Sequence, residues 1–357
     1  MNANLKYMQT ALTLARRSLG NVEPNPMVGA VIVKNGKIIG KGCHQKFGAP
    51  HAEINALADC KKRGNSPAAA TMYVTLEPCC HFGKTGPCTN AIIKAGIKKV
   101  VAAAKDPTKK VAGKGFAILK KAGIEVLLGV CEKEAKELNA PFFKFAKTGK
   151  PYVIIKWAQS SDGFLSRGDG KRWLTNAASR KDVHKIRRGA QAILVGINTV
   201  LADDPLLTAR PAGHYPLIRA VVDSNLKIPE NSKLVKTATQ SPVCIFTTVN
   251  KKRNLKAVEI VKVGKNKGKV NLNAVLAELG KRGVQTLLVE GGREVVTAFL
   301  KQKLADELII YTSNEKLAKN GKTASSRIMK NTYNRLKKKY SGKKQFAKDI
   351  RLTGVTD

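Results

Sequence analysis

The segments HAE (51–53) and TLEPCCHFGKTGPC (75–88) decide the fold of the first half of this chain of 357 residues. They bring two histidines, two glutamates and three cysteines into a short interval of alternating helical and extended patterns. A catalytic zinc ion takes three protein ligands and keeps a fourth position open, and one imidazole with two thiolates supplies the three. We therefore expect His51, Cys79 and Cys88 to hold Zn²⁺.

Glu53 is the candidate proton carrier of this site. If His51 starts a helix, a residue two positions later lies in the same first turn and can face the metal without binding it. The pattern H-x-E followed by P-C is typical of zinc deaminases, in which zinc makes water nucleophilic and the glutamate moves protons. Their usual C-x-x-C spacing is replaced here by eight residues between Cys79 and Cys88.

The residues alone leave the ligand set partly open. Cys80 and His81 can also bind metal, so a set that includes one of them is an alternative. A buried histidine beside structural thiols is a second alternative, but it explains neither the glutamate after His51 nor the proline before Cys79. Pro78 itself predicts the first position of a helix whose N-terminal dipole would stabilise the Cys79 thiolate.

Composition bounds the class of protein. Seven cysteines, an odd number scattered along the chain, argue against a disulfide framework. No apolar run reaches the roughly 18–20 residues that span a bilayer, and the N-terminus lacks a signal peptide's apolar core. We expect a soluble cytoplasmic protein with no membrane partner.

The net charge of +40 predicts attraction to polyanions and to phosphorylated small molecules. Residues 316–348 contain twelve lysines or arginines and no acidic residue. A nucleic-acid patch is one interpretation, but aromatic residues that could stack on bases are scarce there. A solvated basic surface is the favoured interpretation, and nucleic acid is not the favoured partner.

Helical and extended patterns alternate in both halves, which indicates sheets covered by helices. VGAVIVK (28–34) and KIIGKGC (37–43) flank an Asn-Gly pair that is typical of a two-residue hairpin. A helix near 131–147 precedes a glycine, a proline and a fresh strand. We therefore predict a first domain at 1–147 and a second at 151–357.

In the second half, EGGR (290–293) is the strongest local signal. No G-x-G-x-x-G follows a strand, which argues against a Rossmann site. The glycines lie between a predicted strand and a predicted helix, where backbone N–H groups can bind a cofactor phosphate. A plain tight turn is the alternative.

Acidic and basic candidates for substrate binding lie farther upstream. DDP (203–205) is either an Asx turn after a strand or a source of carboxylate for sugar hydroxyls. Arg187 and Arg210 are candidates for a phosphate, because a guanidinium binds two oxygens at once.

Many motifs in one order resemble the bifunctional riboflavin-biosynthesis enzymes of bacteria, in which a pyrimidine deaminase is fused to a reductase. The resemblance extends from about residue 5 to about residue 312. Besides HAE and TLEPCCHFGKTGPC, the matching motifs are PNPMVGAVIV (24–33), DP (106–107), VAGKG (111–115), KWAQSSDG (156–163), NTVLADDPLLTAR (198–210) and VEGG (289–292).

The resemblance implies a cytidine-deaminase-like three-layer domain followed by a dihydrofolate-reductase-like α/β domain that uses NADPH. The implied phosphorylated pyrimidine substrate is 2,5-diamino-6-ribosylamino-4(3H)-pyrimidinone 5′-phosphate, which loses an amino group before its ribosyl group is reduced to ribityl. The family also implies a homo-oligomer formed through the reductase domain. A zinc deaminase of nucleic-acid bases with a vestigial second domain is the alternative, against which the reductase-like half argues.

Carried over position by position, the resemblance assigns His51, Cys79 and Cys88 to zinc and Glu53 to proton transfer. The positions that match substrate contacts are Asn25, Lys171, Arg187, Asp203, Leu207, Arg210 and Glu290. The positions that match cofactor contacts are Ala158, Trp173, Thr199, Ser224, Gly291, Gly292 and Arg293. Lys156 and Asp203 are candidate proton donors for the reduction.

Two features depart from the family's pattern. The segment 313–348 is more basic than that pattern and looks the least structured part of the chain. The chain also stops at DIRLTGVTD (349–357), where we expect one more complete strand. Either feature is expected to weaken the reductase core or its pairing with another subunit.

Overall fold

The computed structural model describes residues 3–83, 86–213, 216–250 and 253–356. The chain forms two compact units, Met1–Gly149 and Lys150–Asp357. Gly149 ends the last helix of the first unit with a φ of 65°, a left-handed conformation that favours glycine. Each unit has its own main sheet and its own hydrophobic core.

The first unit contains one five-stranded sheet. Its strands are β1 Gly29–Lys34, β2 Lys37–Cys43, β3 Thr71–Val74, β4 Lys99–Ala102 and β5 Glu125–Leu128. Its helices are α1 Ala3–Ala15, α2 Ala52–Lys62, α3 Cys88–Lys94, α4 Lys114–Lys121, α5 Glu132–Leu138 and α6 Ala140–Thr148. The strand order is β2-β1-β3-β4-β5. β1 and β2 form the predicted hairpin, and β3, β4 and β5 run parallel.

Both faces of this sheet are covered by helices. Along β1, Ala30 and Ile32 enter the core that α2 covers, and Val31 enters the core that α1 covers. This alternation follows from the two-residue period of a strand. Gly42 lets α2 lie directly on β2, because a Cβ at this position would meet the Ala52 carbonyl oxygen at 2.3 Å. The unit is therefore the predicted three-layer α/β domain.

The second unit contains a nine-stranded sheet and two small ribbons. Its strands are β6 Tyr152–Gln159, β7 Phe164–Arg167, β8 Ala192–Gly196, β9 Ile218–Val222, β10 Val243–Thr247, β11 Val258–Lys262, β12 Lys265–Asn266, β13 Lys269–Val270, β14 Thr286–Glu290, β15 Glu307–Thr312, β16 Gly321–Ala324, β17 Gly342–Phe346 and β18 Asp349–Val355. Its helices are α7 Ala177–Arg188, α8 Ile197–Asp203, α9 Lys233–Lys236, α10 Leu272–Lys281, α11 Arg293–Lys301 and α12 Arg327–Lys338.

The order of the large sheet is β11-β10-β9-β8-β14-β6-β15-β18-β17. The strands from β11 to β15 in this order run parallel, so their carboxyl ends share one edge. Along β8, Ala192 and Leu194 enter one core, whereas Ile193 and Val195 enter the other. A ligand site in such a doubly covered sheet lies at the carboxyl edge.

The prediction for the C-terminal region was wrong. Residues 313–348 include α12, which buries Met329, Thr332 and Leu336, and the strands β16 and β17. The C-terminal segment, where one more complete strand was expected, itself forms β18, which pairs with β15 from Val355–Glu307 to Ile350–Thr312. The many lysines hid the helical spacing of the buried residues.

The helix predicted near 131–147 is two helices, α5 and α6. They are separated at Asn139, whose side chain accepts a hydrogen bond from the Met27 N–H at 2.8 Å and donates one to the Met27 carbonyl at 2.9 Å. These two hydrogen bonds connect the break between α5 and α6 to the segment that precedes β1. Over the described ranges, no helix is both long enough and apolar enough to cross a membrane.

Candidate active sites

The three zinc-ligand candidates converge on one point. His51 is the N-cap residue of α2, Cys88 is the first residue of α3, and Cys79 lies in the irregular segment between β3 and α3. His51 Nδ1 lies 3.5 Å from Cys79 Sγ and 3.4 Å from Cys88 Sγ. The three ligand atoms lie within 4.8 Å of one another. One nitrogen and two sulfur donors at this spacing fit a single zinc ion with a fourth position left open.

The segment around Pro78 differs from its prediction, because the structure has no helix there. The Cys88 backbone N–H donates to Cys79 Sγ at 3.4 Å, so the helix N-terminus beside the Cys79 sulfur belongs to α3. Cys80 lies outside the cluster, with its Sγ 3.9 Å from the Lys110 carbonyl oxygen. The geometry therefore favours Cys79 and Cys88 over a ligand set that contains Cys80.

The electrostatics of the cluster are set by hydrogen bonds and burial. The hydrogen bond from Cys88, aided by His51, lowers the pKa of the Cys79 thiol to about 4. The same contact with Cys79, together with burial, raises the pKa of Cys88. Burial, followed by the charge of Cys79, raises the pKa of the Glu53 carboxyl to about 7.

A cavity of about 290 Å³ opens onto this cluster, and its walls include His51, Glu53 and Asn25. His44, which the sequence analysis missed, is buried behind Asn25. Its Nδ1 lies 3.1 Å from the Pro50 carbonyl oxygen, so that nitrogen carries the proton. Its Nε2 therefore accepts from Asn25 Nδ2 at 3.1 Å, which fixes the orientation of the Asn25 amide.

Glu77 is a second residue that the sequence analysis missed. Its buried carboxylate accepts backbone N–H bonds from Gly113 at 2.8 Å, Gly115 at 3.0 Å, Asp106 at 3.2 Å and Phe116 at 3.3 Å. Three of these donors belong to the DP and VAGKG motifs and Phe116 directly follows the second, so Glu77 joins both motifs to the EPCC segment. In the sequence, Glu77 is visible only as an acidic residue next to Pro78. Its hydrogen-bond partners lie about 30 to 40 residues farther along the chain.

The second unit has a much larger cavity, of about 1580 Å³, which residues at the carboxyl ends of its parallel strands help to line. Most of the predicted reductase residues line it: Ala158, Trp173, Arg187, Thr199, Asp203, Leu207, Arg210, Ser224, Glu290, Gly291, Gly292 and Arg293. Lys171 is the exception, because it is exposed and is not among the lining residues. Its backbone N–H donates to Asp169 at 3.3 Å.

Glu290 connects two cations inside this cavity. Its Oε1 and Oε2 accept from Arg187 at 2.7 and 2.9 Å, and Lys156 Nζ lies 3.6 Å from Oε2. Burial alone would raise the pKa of this carboxyl, but the charges of Lys156 and Arg187 lower it to about 2. Burial lowers the pKa of Lys156, and the charge of Glu290 opposes that shift. Arg187 therefore forms its ion pair with Glu290, inside the protein.

The predicted glycine turn follows β14 and starts α11. Gly292 is the N-cap residue, and its N–H donates to Thr199 Oγ1 at 3.3 Å. A Cβ at Gly292 would lie 3.7 Å from the same oxygen, and one at Gly291 would meet Val295 Cγ1 at 2.4 Å. Gly291 is therefore the position that needs glycine, and the N-terminus of α11 beside it fits the phosphate groups of a dinucleotide.

The prediction of a turn after a strand at 203–205 was wrong, because Asp203 is the last residue of α8. Asp204 follows with a φ of 38°, and its Oδ1 accepts from the Lys233 N–H at 2.8 Å. Asp203 itself is exposed at the wall of the cavity.

Residues 1–104 match the cytidine and deoxycytidylate deaminase zinc-binding region, and residues 151–339 match the RibD C-terminal domain. The riboflavin biosynthesis protein RibD of Aquifex aeolicus is 46% identical over 312 residues, which is 85% of each chain. The chain belongs to the RibD family. The RibD protein of Escherichia coli is 39% identical over 319 residues, covering 85% of this chain and 86% of that one.

Two solved structures agree with this assignment over nearly the whole chain. Acinetobacter baumannii RibD is 35% identical with a TM-score of 0.85, covering 99% of both chains. A diaminohydroxyphosphoribosylaminopyrimidine deaminase/5-amino-6-(5-phosphoribosylamino)uracil reductase from Thermotoga maritima is 33% identical with a TM-score of 0.84, covering 98% of both chains. As a RibD-family protein, the chain is a bifunctional enzyme of riboflavin biosynthesis, with a zinc-dependent deaminase domain and an NADPH-dependent reductase domain.

Proposed function

We propose that the chain deaminates 2,5-diamino-6-ribosylamino-4(3H)-pyrimidinone 5′-phosphate and then reduces the ribosyl group of the product, giving 5-amino-6-ribitylaminouracil 5′-phosphate. The observation that carries this proposal is the convergence of His51, Cys79 and Cys88 beside the buried Glu53, on a chain that also has a reductase cavity. We assign the deamination to a domain at 1–147 and the reduction to a domain at 151–357.

In the deamination, zinc would be held by His51, Cys79 and Cys88 and would supply a nucleophilic water at neutral pH. The Glu53 carboxyl accepts a proton from the attacking water and delivers one to the departing amine, which leaves as ammonia. Asn25, held by His44, is placed to orient the pyrimidine by its amide. Burial of Glu53 keeps bulk water from competing for the proton.

In the reduction, NADPH would supply the reducing equivalents, with its pyrophosphate at Gly291, Gly292, Arg293 and Thr199. We assign the remaining cofactor contacts to Ala158, Trp173 and Ser224, which line the same cavity.

The substrate would be bound at the wall of this cavity by Asp203, Leu207 and Arg210. Because Arg187 is paired with Glu290, Arg210 is the better partner for the substrate phosphate. Reduction of ribosyl to ribityl opens the sugar ring, so the ring oxygen must gain a proton. Lys156 is the proposed donor, because it is buried in the cavity and has a lowered pKa, whereas Asp203 is exposed.

Three broader proposals rest on the family resemblance. The enzyme acts in the cytoplasm, and it forms a homo-oligomer through its reductase domain. Nucleic acid is not its substrate, because a deaminase of bases has no use for NADPH.

A split assay tests the proposed function. Purified zinc-loaded protein is given the diaminopyrimidine phosphate, and ammonia release is followed with and without NADPH while NADPH oxidation is followed in the same samples. We expect ammonia without NADPH, and oxidation once NADPH is added. An absence of ammonia would contradict the proposal and would direct the assay to RNA and DNA. Ammonia without any later oxidation would contradict the reductase half alone.

A further inference from the structure

The second unit carries a lysine-rich hairpin that none of the proposed steps uses. Residues 262–270 read KVGKNKGKV, with four lysines and no acidic residue. The hairpin consists of β12 and β13, paired through Lys265–Val270 and Asn266–Lys269. Of its lysines, Lys267 and Lys269 line the large cavity, whereas Lys262 and Lys265 are not among the lining residues.

The hairpin is attached to a predicted cofactor residue. The backbone N–H of Val270, which is buried, donates to Ser224 Oγ at 3.1 Å. Ser224 follows the carboxyl end of β9, and its carbonyl oxygen accepts from the Thr248 N–H at 3.2 Å, next to the end of β10. The hairpin is therefore fixed at the carboxyl edge of the sheet near β9 and β10.

The glycine turn lies on the same edge, after β14. In the sheet, β14 neighbours β8 and β8 neighbours β9, so the Gly291 turn and Ser224 are separated by two strand spacings, roughly 10 Å. A dinucleotide whose pyrophosphate lies at the glycine turn can extend along this edge, and one of its ends then reaches Ser224 and the hairpin. The fold therefore places the lysines beside one end of a dinucleotide bound in this way.

The charges at this end of the cavity are free to bind an anion. Lys227, three residues after Ser224, also lines the cavity and is exposed. Within the described residues, neither Lys227 nor Lys267 makes an ion pair. Lys269 contacts Glu294 at 3.3 Å, but both side chains are largely exposed, so this pair is weak and replaceable. A ribose with free hydroxyls is typically recognised by a carboxylate, and a 2′-phosphate by cations. Asp223, next to Ser224, also lines the cavity, but it is buried and its Oδ2 accepts from the Ile228 N–H at 2.8 Å, so the exposed charges at this end are mainly lysines.

We propose that Lys227, Lys267 and Lys269 bind the 2′-phosphate of NADPH and make the reductase selective for NADPH over NADH. The inference rests on the reductase function assigned above and deepens it, because it names the side chains that recognise the phosphate. The three ammonium groups form charge-assisted hydrogen bonds to phosphate oxygens that NADH lacks. The glycine turn binds the pyrophosphate that both cofactors share, so it contributes nothing to this selectivity.

Direct binding tests the proposal without relying on catalysis. Calorimetric titration of the full-length zinc-loaded protein would use 2′,5′-ADP and 5′-AMP, which differ only by the 2′-phosphate, together with NADPH and NADH. We expect Lys267→Ala/Lys269→Ala to weaken the binding of 2′,5′-ADP and NADPH by about tenfold or more, while the affinities for 5′-AMP and NADH change by less than about twofold. Lys227→Ala should act in the same direction with a smaller loss.

The matched control is Lys262→Ala/Lys265→Ala, which removes the same charge from the same segment but leaves the cavity lining intact. We expect it to bind all four ligands like the wild type. Equal weakening by both double variants would mean that only net charge matters, and unchanged 2′,5′-ADP binding in the Lys267/Lys269 variant would place the 2′-phosphate elsewhere. Either result overturns the proposal.

Binding of NADPH and NADH by the wild type tests the reductase function separately from the role of the lysines. If the wild type binds neither NADPH nor NADH, the reductase assignment fails and the lysines have no cofactor to discriminate. If the wild type binds both with equal affinity, the reductase assignment stands and the proposed selectivity fails. Ammonia release by each variant shows that the first unit is folded in every sample.

Discussion

The two units build their candidate sites in opposite ways. The first gathers three ligand atoms within 4.8 Å, in a cavity of about 290 Å³, from two short sequence segments. The second distributes its candidate residues around about 1580 Å³, from the ends of many strands. Bond-making at a metal needs a few atoms at short range, whereas a dinucleotide and a sugar phosphate together need many weak contacts. Single substitutions should therefore act more severely in the first unit.

The largest expected effect comes from Glu53→Gln. Loss of a positioned acid–base group should lower the rate of deamination by about 10²–10⁴-fold. The zinc content, measured by mass spectrometry of the metal, should stay at one ion per chain because Glu53 is not a ligand. NADPH oxidation with the already deaminated substrate should be unchanged.

The matched control is Glu125→Gln, which removes an exposed carboxylate from β5. It should leave ammonia release at the wild-type rate. Full activity of Glu53→Gln would exclude Glu53 from the mechanism. It would also contradict the expectation that single substitutions act more severely in the first unit than in the second.

The next largest effect is expected from Glu290→Gln. This substitution tests whether the second unit also depends strongly on a single side chain. The substitution leaves Lys156 and Arg187 without their buried counter-charge, at a cost of about 3–5 kcal/mol in the free energy of unfolding. NADPH oxidation should be lost while ammonia release persists. Glu278→Gln, whose carboxylate pairs with Lys281 and Arg282 at the surface, should cost at most about 1 kcal/mol.

The pH dependence of this stability has a defined sign. The Glu290 pKa is about 2 in the fold against an ordinary value of 4.5, so its stabilisation is present above about pH 4.5 and is lost as the pH falls toward 2. Urea unfolding across this range should show the gap between wild type and Glu290→Gln closing. A constant gap would mean that the carboxylate charge is not what stabilises the network.

A smaller effect is expected from Glu77→Gln. The neutral amide is a weaker acceptor for the N–H groups of Asp106, Gly113, Gly115 and Phe116, so the first unit should lose roughly 1–3 kcal/mol. Its melting temperature should fall and deamination should slow by about tenfold, with zinc retained. Glu137→Gln, which removes an exposed carboxylate from α5, is the control. Loss of zinc from Glu77→Gln would instead assign Glu77 to support of the metal ligands.

The smallest effect is expected from Arg210→Ala. Removal of one phosphate contact should raise the KM for the substrate of the reduction by about tenfold and leave the rate at saturation and the release of ammonia unchanged. Arg335→Ala, which removes an exposed cation of α12, should change neither. An equal loss of both activities would show that the two sites are not independent.

The sequence predicted the first site better than the second for a physical reason. His51, Glu53, Cys79 and Cys88 are recognisable because zinc chemistry restricts residue types and spacing. His44 and Glu77 act by hydrogen bonds to partners that only the fold brings near, and neither has a motif of its own. The predicted helix at Pro78 failed because the thiolate's N–H donor comes from α3, nine residues beyond Cys79.

In the second unit, alternation of strands and helices predicted the sheet, but composition concealed part of it. The lysines of 316–348 made α12 look irregular, although Met329, Thr332 and Leu336 lie three and four residues apart on its buried face. The ion pairs of Glu290 could not be foreseen, because their partners lie on β6 and α7. The roles of the cavity residues stay predictions until ligand binding is measured.

The central claim is that one chain carries two chemically independent sites, and zinc removal tests it most directly. The protein is stripped with a chelator and given two substrates in parallel: the diaminopyrimidine phosphate, and its deaminated product together with NADPH. We predict that ammonia release disappears and returns with added zinc, while NADPH oxidation continues throughout. Loss and recovery of both activities together would contradict the claim.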